Sequence, residues 1–195
     1  MLFKPKKQVS LFIQNNAIMK KTILLIGILL TTFLSCSPKE APTLTPLQQL
    51  PKATKVGANT AGCLVNGEAF LPKGFFPSGN LVCYYINQKT FSLLIHKNEN
   101  NITKSLYIES NDEELEVNKV YNLNMVRSSN SEFGEFHESN IINDYYSTTP
   151  EITGELVITH HDYNKAIISG TFWFDAVNNA GEKIEVREGR FDMKY

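Results

Sequence analysis

The chain has 195 residues, a formal net charge of −1, 20% charged residues and 42% hydrophobic residues. Those values belong to a globular protein and exclude a disordered tail or a polytopic membrane protein. A charge so close to zero gives no electrostatic footprint for nucleic acid or for an anionic membrane surface.

Met19 opens a segment that reads "MKKTILLIGILLTTFLSC". Lys20 and Lys21 form a positive start, residues 22–34 form an apolar run, and the small Ser35 precedes Cys36, the three parts of an export signal. The apolar run is shorter than the roughly 20 residues that span a bilayer, so it is read as a cleaved signal rather than a retained helix. Phe33-Leu34-Ser35-Cys36 resembles a lipobox, with Phe where Leu is usual. Cys36 is therefore the expected lipidation site, because several acyl chains at about 0.8 kcal/mol per buried CH₂ make a durable anchor. Residues 1–18 precede this signal and read as a start-site extension, which leaves 19–35 as the signal peptide.

Residues 36–56, with prolines at 38, 42, 46 and 51, show no periodic apolar pattern and read as a flexible tether. The globular domain is then 57–195. Cys63 and Cys83 are the remaining cysteines. An oxidising compartment permits a disulfide between them, and two buried thiols are the alternative.

A period of two recurs through the domain, and helical periodicity is scarce. Asn66-Gly67, between short apolar runs, predicts a tight type I′ hairpin. Strands are expected at 81–86 and 90–96 around a turn at 87–89, then at 102–110 and 119–126, with an acidic stretch between. Residues 127–140, "RSSNSEFGEFHESN", read as a long surface excursion, and 141–150 as a short strand after it. The last part predicts four strands with turns at 162–164, 177–181 and Glu188-Gly189. A two-residue turn at Glu188-Gly189 would set Arg187 opposite Arg190 and Lys183 opposite Lys194. Such like-charge pairs are unfavourable, so a bulge or another pairing is an open alternative. Together these elements predict an all-β domain of about eight to ten antiparallel strands, a β-sandwich or a β-barrel.

Catalytic motifs are absent: there is no G-x-S-x-G elbow, phosphate loop, dinucleotide fingerprint, HExxH or CxxC. His160 and His161 are adjacent on a predicted strand and point to opposite faces, which does not suit one metal ion. The acidic run 109–116 lacks the glycine and spacing of a calcium loop. No catalytic residue, metal site or cofactor is expected. Tyr145 and Tyr146, beside the long excursion, are the candidate binding residues, since exposed rings stack on sugars or partner surfaces.

The signal segment, the opening "LPKATKVGANTAGCLVNGEAF" and the ending "ISGTFWFDAVNNAGEKIEVREGRFDMKY" resemble a family of small Bacteroidota cell-envelope lipoproteins classed as a domain of unknown function. The resemblance implies an outer-membrane lipoprotein with an all-β domain, held to the membrane by its lipid, and it brings no catalytic residues. "CSPKE" resembles the short signals that send such lipoproteins to the cell surface, but only one acidic residue follows Lys39, so both the periplasmic and the surface-facing side stay open. Three functions compete: a non-catalytic domain that binds a glycan, a lipid or an envelope protein; an accessory subunit of an outer-membrane complex; and a hydrolase with a dispersed site.

Overall fold

The structure, a computed structural model, describes residues 43–111, 113–126, 131–139 and 144–195. The signal segment and Cys36 lie outside them. Among the described residues no helix is long and apolar enough to cross a membrane.

Among the described residues eleven strands form: β1 (Thr60–Val65), β2 (Glu68–Phe70), β3 (Leu81–Ile86), β4 (Thr90–Glu99), β5 (Ile102–Ser110), β6 (Val120–Leu123), β7 (Phe133–Ser139), β8 (Asp144–Ser147), β9 (Gly154–Asp162), β10 (Ile167–Val177) and β11 (Lys183–Lys194). The all-β expectation holds, with one strand more than the upper estimate. Strand pairing is antiparallel in the order β2-β1-β11-β10-β8-β7-β5-β4-β3, while β9 also pairs with β10 and β6 pairs with β9. The sheet does not close into a barrel.

β10 is where the sheet divides. Ile167 to Phe174 pair with β9, whereas only Val177, at the far end, bridges to Ser147 of β8. Beyond that bridge the chain makes two layers. One carries β2, β1, β11, β10, β9 and β6; the other carries β8, β7, β5, β4 and β3. Their inner faces meet in the manner of a sandwich. Phe91 of β4 stacks on Phe191 of β11 at 5.5 Å, and Phe70 of β2 meets the edge of Phe136 of β7 at 5.6 Å. Gly134 lets the layers approach closely, since a Cβ there would lie 2.7 Å from the Phe174 ring.

Local turn chemistry explains the hairpins. Val65 opposes Glu68, and Asn66 (φ 50°) and Gly67 (φ 84°) both take the left-handed conformation that a type I′ turn requires. Ile86 opposes Thr90 across three residues, as the sequence predicts.

Three expectations need correction. The stretch 127–140 is not simply a surface excursion, because residues 133–139 form β7 between β5 and β8. Phe133, Gly134, Glu135 and Phe136 are all buried, so this strand is covered on both faces and shows no alternation. Polar turn-forming residues around it disguised a central strand.

Second, Glu188-Gly189 is not a hairpin turn. β11 runs straight through as one strand of 12 residues. Extra residues of β11 stand against each neighbour: Val186 to Gly189 spans Phe174 to Phe172 on β10, and Arg187 to Arg190 spans Leu64 to Gly62 on β1. This is a β-bulge, with Glu188 at φ 56°. The extra residue shifts parity, which places Ile184, Val186, Phe191 and Met193 on the core side. A turn would have produced the same alternation, and the like-charge pairs it implied never form.

Third, the stretch expected to be a tether through residue 56 is structured in its second half, and the compact unit begins at Leu44. A one-turn helix, α1 (Pro46–Gln49), starts with a capping box: the Gln48 amide donates to Thr45 Oγ1 at 3.3 Å, and the Thr45 amide donates to Gln48 Oε1 at 2.9 Å. Leu50 is buried behind it. The strap that continues from this helix is fastened to Asp192 on the outer side of β11. This carboxylate, 1% exposed, accepts from Thr54 Oγ1 (2.5 Å), the amides of Val56 (3.0 Å), Gly57 (2.8 Å) and Ala58 (3.2 Å), and Ser169 Oγ (2.8 Å). Burial pushes its pKa up, but these donors outweigh burial and bring it down to about 2.

Candidate functional site

The two ends of the sandwich are finished differently. At the end where β3 turns into β4, rings interlock. Tyr85 packs edge-on against His161 (5.0 Å) and Tyr195 (5.5 Å), and His161 lies 3.9 Å from the Tyr163 ring. Each polar tip has a partner. The Tyr85 hydroxyl donates to the Gln88 carbonyl and accepts from the Leu115 amide, Tyr163 donates to Glu114 Oε1 at 2.9 Å, and His161 Nε2 bonds the Tyr195 hydroxyl at 3.0 Å. This end is plugged.

At the other end the layers part around a cleft of about 460 Å³, within the range of small-ligand sites. The β1-β2 hairpin supplies one wall, the β4-β5 turn with β7 and β8 supplies the other, and the start of β11 closes the back. Its apolar lining is Val65, Ala69, Phe70, Ile102, Phe136 and Ile184. Ion pairs stand at the rim: Lys97 with Glu99 (3.1 Å), Lys73 with Glu99 (2.5 Å) and Lys104 with Glu138 (2.8 Å). Hydrogen bonds from Lys73 and Lys97 hold the Glu99 carboxyl below its usual range. Exposed pairs of this kind contribute little to stability, because water and salt screen them. A polar ligand head could therefore replace either member at small cost.

The structure separates the two candidate tyrosines. Tyr146 points inward and lines the cleft, its ring 6.3 Å from Phe136 and its hydroxyl 3.4 Å from both Asp144 Oδ2 and Glu182 Oε2. Tyr145 points outward, is half exposed and stacks on His137 at 4.1 Å. Alternation along β8 forces this split. Of the two alternatives for Cys63 and Cys83, the structure has the thiols: both are free and buried, and no disulfide joins them. Burial pushes the Cys83 thiol up to about 12 and moves Cys63 in the same direction. Neither is a nucleophile.

Two of the histidines take structural positions. His96 is buried on the outer face of β4, bonded through Nδ1 to Ser105 Oγ at 2.8 Å and covered by Phe76 at 3.8 Å. His161 belongs to the plug. Among the described residues no group of three or more His, Cys, Asp or Glu side chains could hold a metal ion. Two carboxyl pairs converge: Asp144 and Glu182 share the Tyr146 hydroxyl and the Asn178 side-chain amide, and Glu113 and Glu132 meet elsewhere. Glu132 bonds Glu113, which is also paired with Lys119. Burial, with the bond and negative charge of Glu113, raises Glu132 to about 7. The Glu113 and Glu132 pair does not line the cleft.

Most of the cleft was missed by sequence reasoning. Phe70, Phe136, Lys97, Lys104, Glu138 and Ile184 come from five strands, and no spacing along the chain brings them together. Only Tyr146 carried a local signal.

Neither a curated protein nor a solved structure matches the chain. A family model described as "Domain of unknown function (DUF6252)" matches residues 82–193, which run from β3 into β11. That match covers more than half of the chain, and the protein belongs to this family.

Proposed function

We propose that this protein is a cell-envelope lipoprotein, carried on a lipid at Cys36 at the outer membrane, whose β-domain binds a small amphipathic ligand in the open cleft without transforming it. The export-type segment 19–35, the resemblance to Bacteroidota lipoproteins and the positively charged start at Lys20 and Lys21 support the location. One observation carries the binding reading: an apolar recess rimmed by exposed, weak ion pairs lies at one end of a sandwich whose other end is plugged. An apolar lining with a few convergent polar groups is the usual composition of a ligand site.

Thermal unfolding of the full chain in detergent, across lipids, glycans and haem, tests this reading. A ligand at about 100 times its Kd adds about 2.7 kcal/mol, a shift of several degrees in a domain of this size. Ala69→Phe narrows the recess and should abolish the shift. A flat panel overturns the binding reading. The anchor has its own test: an alkyne-tagged palmitate should label the wild type and leave Cys36→Ser unlabelled.

A second reading, an accessory subunit of an outer-membrane complex, is favoured by the sheet margin at β3. Among the described residues this strand pairs only with β4, and it exposes Tyr84 and Ile86. Open edges accept another strand. Co-purification with a larger membrane protein after mild extraction would support this reading, and recovery as a lone monomer would count against it.

A further inference from the structure

We propose a second binding site, for a neutral saccharide, on the outer face of the β9-β10-β11 layer. It is remote from the cleft and shares no lining residue with it. Trp173 is the only tryptophan in the chain. It stands on the outer side of β10, 36% exposed, while its neighbours Phe172 and Phe174 fill the interior. Around it lies an open depression of about 470 Å³ walled by Ala53 of the strap, Glu155 and Val157 of β9, Thr171 of β10, and the β11 bulge.

The bulge shapes one wall of this depression. Arg187 and Glu188 both stand between Val186 and Gly189, where a regular ladder would set one residue opposite Trp173. Gly189 pairs with Phe172 at the bulge, and on the interior side a Cβ there would collide with the Phe172 ring, so the backbone packs closely beneath the depression.

The polar groups are fixed before any ligand arrives. Trp173 Nε1 donates to Glu155 Oε2 at 3.2 Å. The Arg187 guanidinium, 5.5 Å from the Trp173 ring centre, is clamped by Asp175 (2.6 Å) and by the carbonyls of Phe174 (3.2 Å) and Val186 (2.9 Å). Arg190 bonds the carboxylate of Glu188 at 3.0 Å. Groups already held in place lose little entropy on binding.

Charge selects the class of ligand. Glu155, Asp175 and Glu188 stand among Arg187 and Arg190, so neither a phosphate nor an ammonium group finds a field of one sign. A polyhydroxylated ring does fit. Its apolar C–H face can lie on exposed indole, and its hydroxyls can both donate to carboxylates and accept from guanidinium groups.

The single tryptophan makes the test direct. Fluorescence of the full chain in detergent is followed while a cello-oligosaccharide or a chito-oligosaccharide is added, and calorimetry repeats the titration on variants. The expected result is a saturable fluorescence change with at least one sugar. Trp173→Ala should weaken binding roughly tenfold or more, as loss of a stacking aromatic does. Glu155→Gln, which keeps the shape, should weaken it less, and the cleft variant Ala69→Phe should leave it unchanged. Both surface variants should unfold at the wild-type temperature. No response to either sugar, or equal affinity in Trp173→Ala, would overturn the site. Loss of sugar binding in Ala69→Phe would instead assign the sugar to the cleft.

Discussion

One end of this sandwich is sealed by aromatic rings whose polar tips are bonded; the other is left open with apolar residues facing water. Both ends are built from the same strands, since β4 and β11 run from one to the other. The difference lies in the connections between strands. At the sealed end, the acidic stretch after β5 and the residues after β9 and β11 fold inward and supply Glu114, Leu115, Tyr163 and Tyr195. At the open end two of the turns are short: Asn66-Gly67 spans two residues and Asn100-Asn101 two more, too few to reach across the core. A cavity here reflects connection length rather than any defect of packing.

The sharpest way to break this comparison is to truncate one side chain in the closed core and one at the open end. Phe91, fully buried against Phe191, should cost about 3–5 kcal/mol as Phe91→Ala. Ile102→Ala at the cleft should cost about 1 kcal/mol or less, because water already reaches it. Urea unfolding measures both, and equal losses would show that the open end is as firmly packed as the closed core.

The strap should matter next. Asp192→Asn should cost about 2 kcal/mol near neutral pH, the equivalent of moving a carboxyl from its ordinary 3.8 to about 2. Because the folded value is depressed, this contribution is complete above 3.8 and disappears as pH falls through about 2. An acid titration of stability should therefore be flatter in the variant over that window.

At the plug, Tyr163→Phe removes the bond to Glu114 alone and should cost about 1 kcal/mol. The opposite pH slope comes from Glu132. Its folded value is raised, so its contribution is complete below 4.5 and lost as pH rises through about 7. Glu132→Gln should remove that slope. Thiol labelling adds a check without mutation: Cys63 and Cys83 should resist alkylation in the folded protein and react fully, without reductant, once it is unfolded.

Much of the fold was legible where its cause is local. Asn66-Gly67 adopts positive φ because Asn and Gly tolerate it, and the strands at 81–86 and 102–110 were readable as short runs rich in aromatic and β-branched residues between polar turns. Two failures share a different origin. β7 carries no alternation because both of its faces are covered, and β11 imitates a hairpin because a bulge and a turn change parity alike. Asp192 falls on what alternation assigns to the solvent side, and only the strap, more than 130 residues earlier in the chain, covers it. The cleft is of the same kind. Its members are ordinary apolar and charged residues until pairing among the strands sets them around one recess.

The place of β11 in the sheet governs when the domain can exist at all. It is the eleventh strand in order of synthesis, yet it lies between β10 and β1 and carries the carboxylate that secures the strap before β1. A growing chain that has not yet produced residues 183–194 lacks the strand on which β1 and β2 must register. Contacts of such long sequence separation form late and make folding slow. Until β11 arrives, β1 and β2 have no strand to register on, so this side of the sandwich closes after the β3-β4-β5-β7-β8 side, whose pairings do not involve β11.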